Sequence, residues 1–112
     1  LAWLLPVIAA VLGGAIFMTA PAKQVVFAGD VPDADALAIV QSRCAACHAQ
    51  HPADKTFAEP PKGVILDTLE ELRRHKEQVV VQAVNNVAMP LGNKTGMTPD
   101  ERARLGAWLA KQ

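Results

Sequence analysis

The chain has 112 residues, with eleven basic and eleven acidic side chains and therefore no net charge at neutral pH. That length bounds it to one small domain, and the balanced charge argues against a nucleic-acid partner. Aromatic residues make up only 4% and Tyr is absent, so the core is aliphatic or is completed by something else; small domains often need a disulfide, a metal or a cofactor to hold together.

The first 22 residues contain no charge. "LAWLLPVIAAVLGGAIFMTA" would span roughly 30 Å as a helix, enough to cross a bilayer. Pro6 lies in its first two turns, where membrane helices tolerate it. The reading is one transmembrane helix over residues 1–22. The rival is a cleaved signal peptide: "APA" before Lys23 resembles a cleavage site, but a basic start is missing and the apolar run is long. Ala9/Gly13 and Ala10/Gly14 are small pairs at i, i+4, which let another membrane helix approach closely. The first residue is Leu, so a processed product or a piece of a longer protein is expected.

Residues 23–32 read as a linker with Gly and Pro punctuation. A helix is predicted next, with Asp33 or Asp35 as cap and Ala36, Leu37, Val40 and Cys44 at helical spacing. "HPADKTFAEPPKGV" is a proline-rich loop. In "LDTLEELRRHKEQVVVQAVNNVAMP", Asp67 and Glu70 read as an analogue of a capping box, and Leu69, Leu72, Val79, Val80, Ala83 and Val84 partly follow a helical stripe up to Pro90. "VVVQAV" is strand-like, but a lone strand has no partner, so helix is the expectation. After the turn-rich "LGNKTG", "TPDERARLGAWLAKQ" carries a full helix start: Thr98 at the N-cap, Pro99 at N1 and Glu101 at N3. Gly106 inside this helix costs about 1 kcal/mol relative to Ala, which marks a close crossing, expected onto Ala36 and Val40.

The two cysteines, Cys44 and Cys47, lie three apart and are followed at once by His48. A redox disulfide would sit beside a βαβ pattern, and none is visible. Zinc wants four ligands at tetrahedral distances; His48, His51 and distant His75 make a poor set with the two thiols. C-x-x-C-H is the signature of c-type haem attachment. Two thiols on one turn match the two vinyl groups on one side of a porphyrin, and the next residue aims its imidazole Nε2 at the iron. The cofactor expected is one covalently attached haem c.

Methionine thioether is the usual second axial ligand when the task is electron transfer, and it raises the potential relative to two nitrogens. Met18 lies in the apolar span. Met89, next to Pro90, ends a helix and opens a loop that can bring its sulfur over the second haem face. Met97, just before the last helix, is the runner-up; Met is otherwise a common gap filler. His51 reads as solvent-facing and His75, in "RRHKE", as part of a charged face. Pro60 or Pro61 is expected to offer a carbonyl to His48 Nδ1–H, as outer-sphere partners do. No residue is expected to be catalytic in its own right.

The region from about Asp33 to Gln112 resembles a class I cytochrome c, through "CAACH", Met89-Pro90 and the last helix "ERARLGAWLA". The resemblance implies an all-α fold of three to four helices around the haem in residues 33–112, preceded here by the transmembrane helix. It also implies that the first and last of these helices cross, with Ala36 and Val40 against Leu105 and Trp108. More narrowly, "PPKGV" and "MPLGNKTGMT" resemble the C-terminal cytochrome domain of bacterial membrane-bound urate oxidases (urate hydroxylases). That resemblance implies that residues 1–22 are the last of several membrane helices and that upstream helices of the same protein are partners. Electrons would pass from urate oxidation through His48- and Met89-ligated iron to a redox partner of the respiratory chain. It implies a domain on the periplasmic or outer face of the bacterial cytoplasmic membrane. The rivals are a stand-alone membrane-anchored cytochrome c, and a haem sensor or peroxidase-like protein with an open sixth iron position.

Overall fold

The computed structural model describes residues 1–21 and 23–112. Among them the chain is all-helical, 53% helix with no strand. Five α-helices follow in order: α1 (Leu4–Thr19), α2 (Asp33–Arg43), α3 (Leu69–Arg74), α4 (Lys76–Val79) and α5 (Pro99–Leu109).

The expected transmembrane helix over 1–22 is corrected. No helix among the described residues is long and apolar enough to cross a membrane. Helix α1 has 16 residues, which is about 24 Å of rise against the roughly 30 Å of a hydrocarbon core. The apolar run is longer than the helix, which starts at Leu4 and stops at Thr19. At the far end Ala20 turns extended (ψ 130°), as the residue before a proline is pushed to do, and Pro21 follows. Ala22, the last residue of the expected span, lies outside the described residues. None of the α1 residues is buried.

The core belongs to residues 31–109. Ala36, Ile39 and Val40 of α2, Leu72 of α3, Val79 of α4, and Leu105, Trp108 and Leu109 of α5 form one buried cluster, which also takes in Leu66, Ala83 and Met97. Helix α2 lies against α5. Its expected side-chain cap is absent: Pro32 occupies the N-cap. Asp33 is the first helical residue, and its Oδ1 accepts from the Trp108 indole Nε1 at 2.8 Å. The guanidinium of Arg73 stacks over the same indole at 5.2 Å and pairs with Asp33 at 3.5 Å. An acid that looks like a helix cap thus serves a buried tryptophan instead.

The long middle helix is broken into pieces. Its cap is Thr68, not Asp67: the Thr68 hydroxyl accepts from Glu71 N–H at 3.2 Å, while Asp67 accepts from Gln50 N–H at 3.2 Å. The chain leaves helical geometry at His75 (φ −99°, ψ 17°), whose ring bonds Gln78 at 2.9 Å. After α4 the backbone widens into a π-helical turn, Val80–Val84, closed by Asn85 N–H on Val80 C=O at 2.8 Å. Crowded β-branched residues resist a regular α-helix, and the wider turn brings Ala83 into the core with Val84 packed against it.

Helix α5 starts as the sequence predicts, with a complete capping box between Thr98 and Glu101 and Pro99 in the first turn. The close crossing at Gly106 exists but meets a different partner. A Cβ there would lie 2.7 Å from Val84 Cγ1, so at Gly106 the helix presses on the π-turn and meets α2 elsewhere. The linker also lies on α5: Phe27 receives the Arg104 guanidinium at 5.1 Å, and Asp30 pairs with Lys111.

Candidate functional site

Helix α2 ends at Arg43 and Cys44 is its C-cap, its N–H still bonded to Val40 C=O at 2.8 Å. The helical turn then repeats in shorter form. Cys44 C=O accepts from Cys47 N–H at 3.2 Å and from His48 N–H at 2.9 Å. Cys44, Cys47 and His48 therefore sit on one compact turn, and both thiols are free.

His48 is fixed from two directions. Its Nδ1 lies 3.0 Å from Val64 C=O, and its own carbonyl accepts from Leu66 N–H at 2.6 Å. A carbonyl only accepts, so Nδ1 carries the proton and Nε2 presents its lone pair. The expected carbonyl acceptors, at Pro60 or Pro61, are not the partners. Their oxygens accept from Gly63 N–H at 2.9 Å and Val64 N–H at 3.1 Å, closing a 3-10 turn. That turn takes left-handed backbone at Lys62 (φ 55°) and Gly63 (φ 68°), which a glycine adopts without a Cβ clash. "PPKGV" is thus the piece that delivers the Val64 carbonyl to the ring.

Both thiols are pushed above the ordinary thiol range. Burial pushes Cys44 up to about 11, against the Arg102 cation, which lowers it, and with Cys47, which raises it. Burial and the Asp54 carboxylate push Cys47 up as well. Redox-active C-x-x-C pairs have depressed values. Asp54 itself is held far below the usual carboxylate range by the Lys94 ammonium and by Thr56, and the same contact raises Lys94. The pair ties the loop after His48 to the loop after Met89.

Met89 is half-buried and packs against the core cluster. Its N–H donates to Gln82 C=O at 2.9 Å, and its C=O accepts from Arg102 Nη1 at 2.5 Å. The Met89-Pro90 peptide is cis. Met97, the runner-up, is only 3% exposed within the core, with both its backbone groups bonded to the Asn93 side chain. Met18 stands 86% exposed on α1. His51 is exposed, and His75 faces Glu71 at 3.8 Å.

Two adjacent residues of α5 hold the two halves of the site: Glu101, read from the sequence only as part of the helix cap, and Arg102, not singled out there. Glu101 takes Arg43, the residue before Cys44, with Nε–Oε2 and Nη2–Oε1 both at 3.1 Å. Arg43 also donates to Thr95 C=O, and Thr95 Oγ1 donates to Arg43 C=O at 2.7 Å. Partial burial works against the Glu101 charge, but Arg43 and Thr98 outweigh it and hold the carboxyl below its usual range. Arg102 takes the Met89 side. A usable signal was present in the spacing: Arg102 and Gly106 are i, i+4 and share one helix face.

The donors present fit a c-type haem: two protonated free thiols on one turn, an imidazole with Nε2 free, and a thioether at a loop edge. Among the described residues no group of three or more His, Cys, Asp or Glu is placed to hold a metal ion, whereas a haem iron takes only two protein ligands. Comparison with models of protein families, with curated proteins and with solved structures found no match.

Proposed function

We propose that this chain is a c-type cytochrome electron-transfer domain that holds one haem c through Cys44, Cys47, His48 and Met89. The observation that carries the reading is the His48 ring, held through Nδ1 by the Val64 carbonyl and following two unpaired thiols at C-x-x-C-H spacing. Each thiol would add its S–H across one vinyl double bond, with no leaving group. Bound haem would supply a one-electron iron couple. The Val64 carbonyl, by drawing on Nδ1–H, makes Nε2 a better donor. Met89 would offer a thioether, a soft donor that favours a reduced metal and raises its potential. The backbone bonds at Val64, Leu66 and Gln82 keep both ligands in place as charge changes.

In this reading the electrons come from urate oxidation by an associated membrane region and leave to a redox partner of the respiratory chain, on the outer face of a bacterial cytoplasmic membrane. It rests on the likeness of "PPKGV" and "MPLGNKTGMT" to the cytochrome domain of bacterial membrane-bound urate oxidases; in this chain the first forms the turn that positions His48, and the second runs from Met89 to the cap of α5.

The test is a visible spectrum of the protein matured with the cytochrome c attachment machinery. Sharp reduced α and β bands are expected, with colour that survives denaturation and a far-red band in the oxidised state from thioether–iron ligation. Met89→Ala should lose the far-red band and keep the attached haem. A high-spin spectrum of the unaltered chain would replace the electron carrier with an open, reactive iron. No haem absorbance would overturn the reading.

A further inference from the structure

We infer that Arg102 is a positioning residue for the Met89 ligand, acting through the backbone that carries it; this rests on the reading of Met89 as an axial ligand. One nitrogen of its guanidinium, Nη1, donates to both Ala83 C=O at 2.7 Å and Met89 C=O at 2.5 Å. These two carbonyls bracket the segment from the π-turn to Met89. The segment's other ties are local: Met89 N–H to Gln82, Asn85 N–H to Val80, and Ala88 N–H to Asn86 Oδ1. Gln24 Nε2 donates to Asn85 C=O from an exposed position. Arg102 is therefore the bond that fixes Met89 itself to a rigid element. Val87 and Ala88 are exposed and Met89 is only half-buried against the core, so packing alone leaves the approach to the ligand loosely held.

The clamp has a defined base. The capping box fixes the start of α5 at Thr98 and Glu101, and Arg102 is the next residue. One turn on, Gly106 lets α5 close on Val84. Arg102 also lines an open groove of about 400 Å³ with Val87, Gly92, Asn93, Met97 and Pro99, next to the ligand loop. Without the guanidinium, the Met89 carbonyl would lose its partner beside that groove, and the thioether would compete less well for the iron.

The experiment is imidazole titration of the oxidised, haem-loaded chain, with the far-red band recorded in parallel. Arg102→Met should weaken the band and bind imidazole about tenfold or more tighter, as expected for loss of hydrogen bonds from a charged donor. Arg102→Lys keeps the charge and some donor capacity, and should fall between Arg102→Met and the unaltered protein. Arg104→Met on the same helix, which removes exposed contacts to Asp100, Asp35 and Phe27 and none to the ligand loop, should leave both readouts unchanged. If Arg102→Met keeps the band and binds imidazole within twofold of the unaltered protein, the proposal is wrong. If that variant does not fold, Arg102→Lys decides by the same twofold criterion. A far-red band absent from the unaltered protein would sink the Met89 reading and this proposal with it. A band present in it and retained in the variants would sink this proposal alone.

Discussion

Helix α1 has sixteen residues, no charge and no buried side chain; α5 has eleven residues, four of them charged, and buries Ala103, Leu105, Trp108 and Leu109. The more apolar helix is the unpacked one. Helix α1 is apolar on every side, so no stripe directs it onto the domain. Helix α5 separates its residues by face. One side enters the core, and Glu101 and Arg102 reach the two halves of the site. Hydropathy measures what a segment would gain from burial, whereas pattern and specific partners decide whether it is buried here.

The most damaging way to break α5 is Trp108→Ala. It removes a fully enclosed indole and leaves Asp33 without its donor, and should cost about 3–5 kcal/mol in urea unfolding. A cost below about 1 kcal/mol would mean that the α2–α5 contact is not the centre of stability. Thr98→Ala comes next. Losing the hydroxyl that accepts from Glu101 N–H should cost about 1 kcal/mol, measured the same way.

Glu101 adds a pH dependence. Its folded value lies below the ordinary 4.5, so the unfolded chain binds the proton more readily. The resulting stability is present above pH 4.5 and is lost as pH falls through the folded value. The effect should be on the order of 1 kcal/mol, since the pair with Arg43 is partly solvated. Glu101→Gln should flatten that part of the stability profile; an unchanged acid limb would show that Arg43 contributes nothing through charge. The smallest effect belongs to α1. Removing residues 1–20 should shift the unfolding free energy by no more than about 0.5 kcal/mol, as for surface changes away from the core. A larger loss would show that α1 packs on the domain after all.

Local chemistry was legible in the sequence because it is carried by neighbours. The C-x-x-C-H turn, the Thr98–Glu101 capping box and the helical period of α2 and α5 all depend on residues within one or two turns of each other. Choices made across the chain were not legible. Whether Asp33 would cap α2 or bind Trp108, whether Gly106 would meet Val40 or Val84, and which carbonyl near "PPKGV" would reach His48 were settled by which groups the fold brings within about 3 Å. The length of α1 is an intermediate case. The sequence showed twenty apolar residues, but where helical hydrogen bonding stops depends on backbone angles at its ends, and Pro21 shifts that point. Composition and spacing thus determined an all-helical chain with a thiol–thiol–imidazole turn and a methionine loop. Only the tertiary structure decided that adjacent residues of one charged helix, Glu101 and Arg102, would tie both together, because hydrogen bonds between distant segments are assigned by packing and leave no period in the sequence.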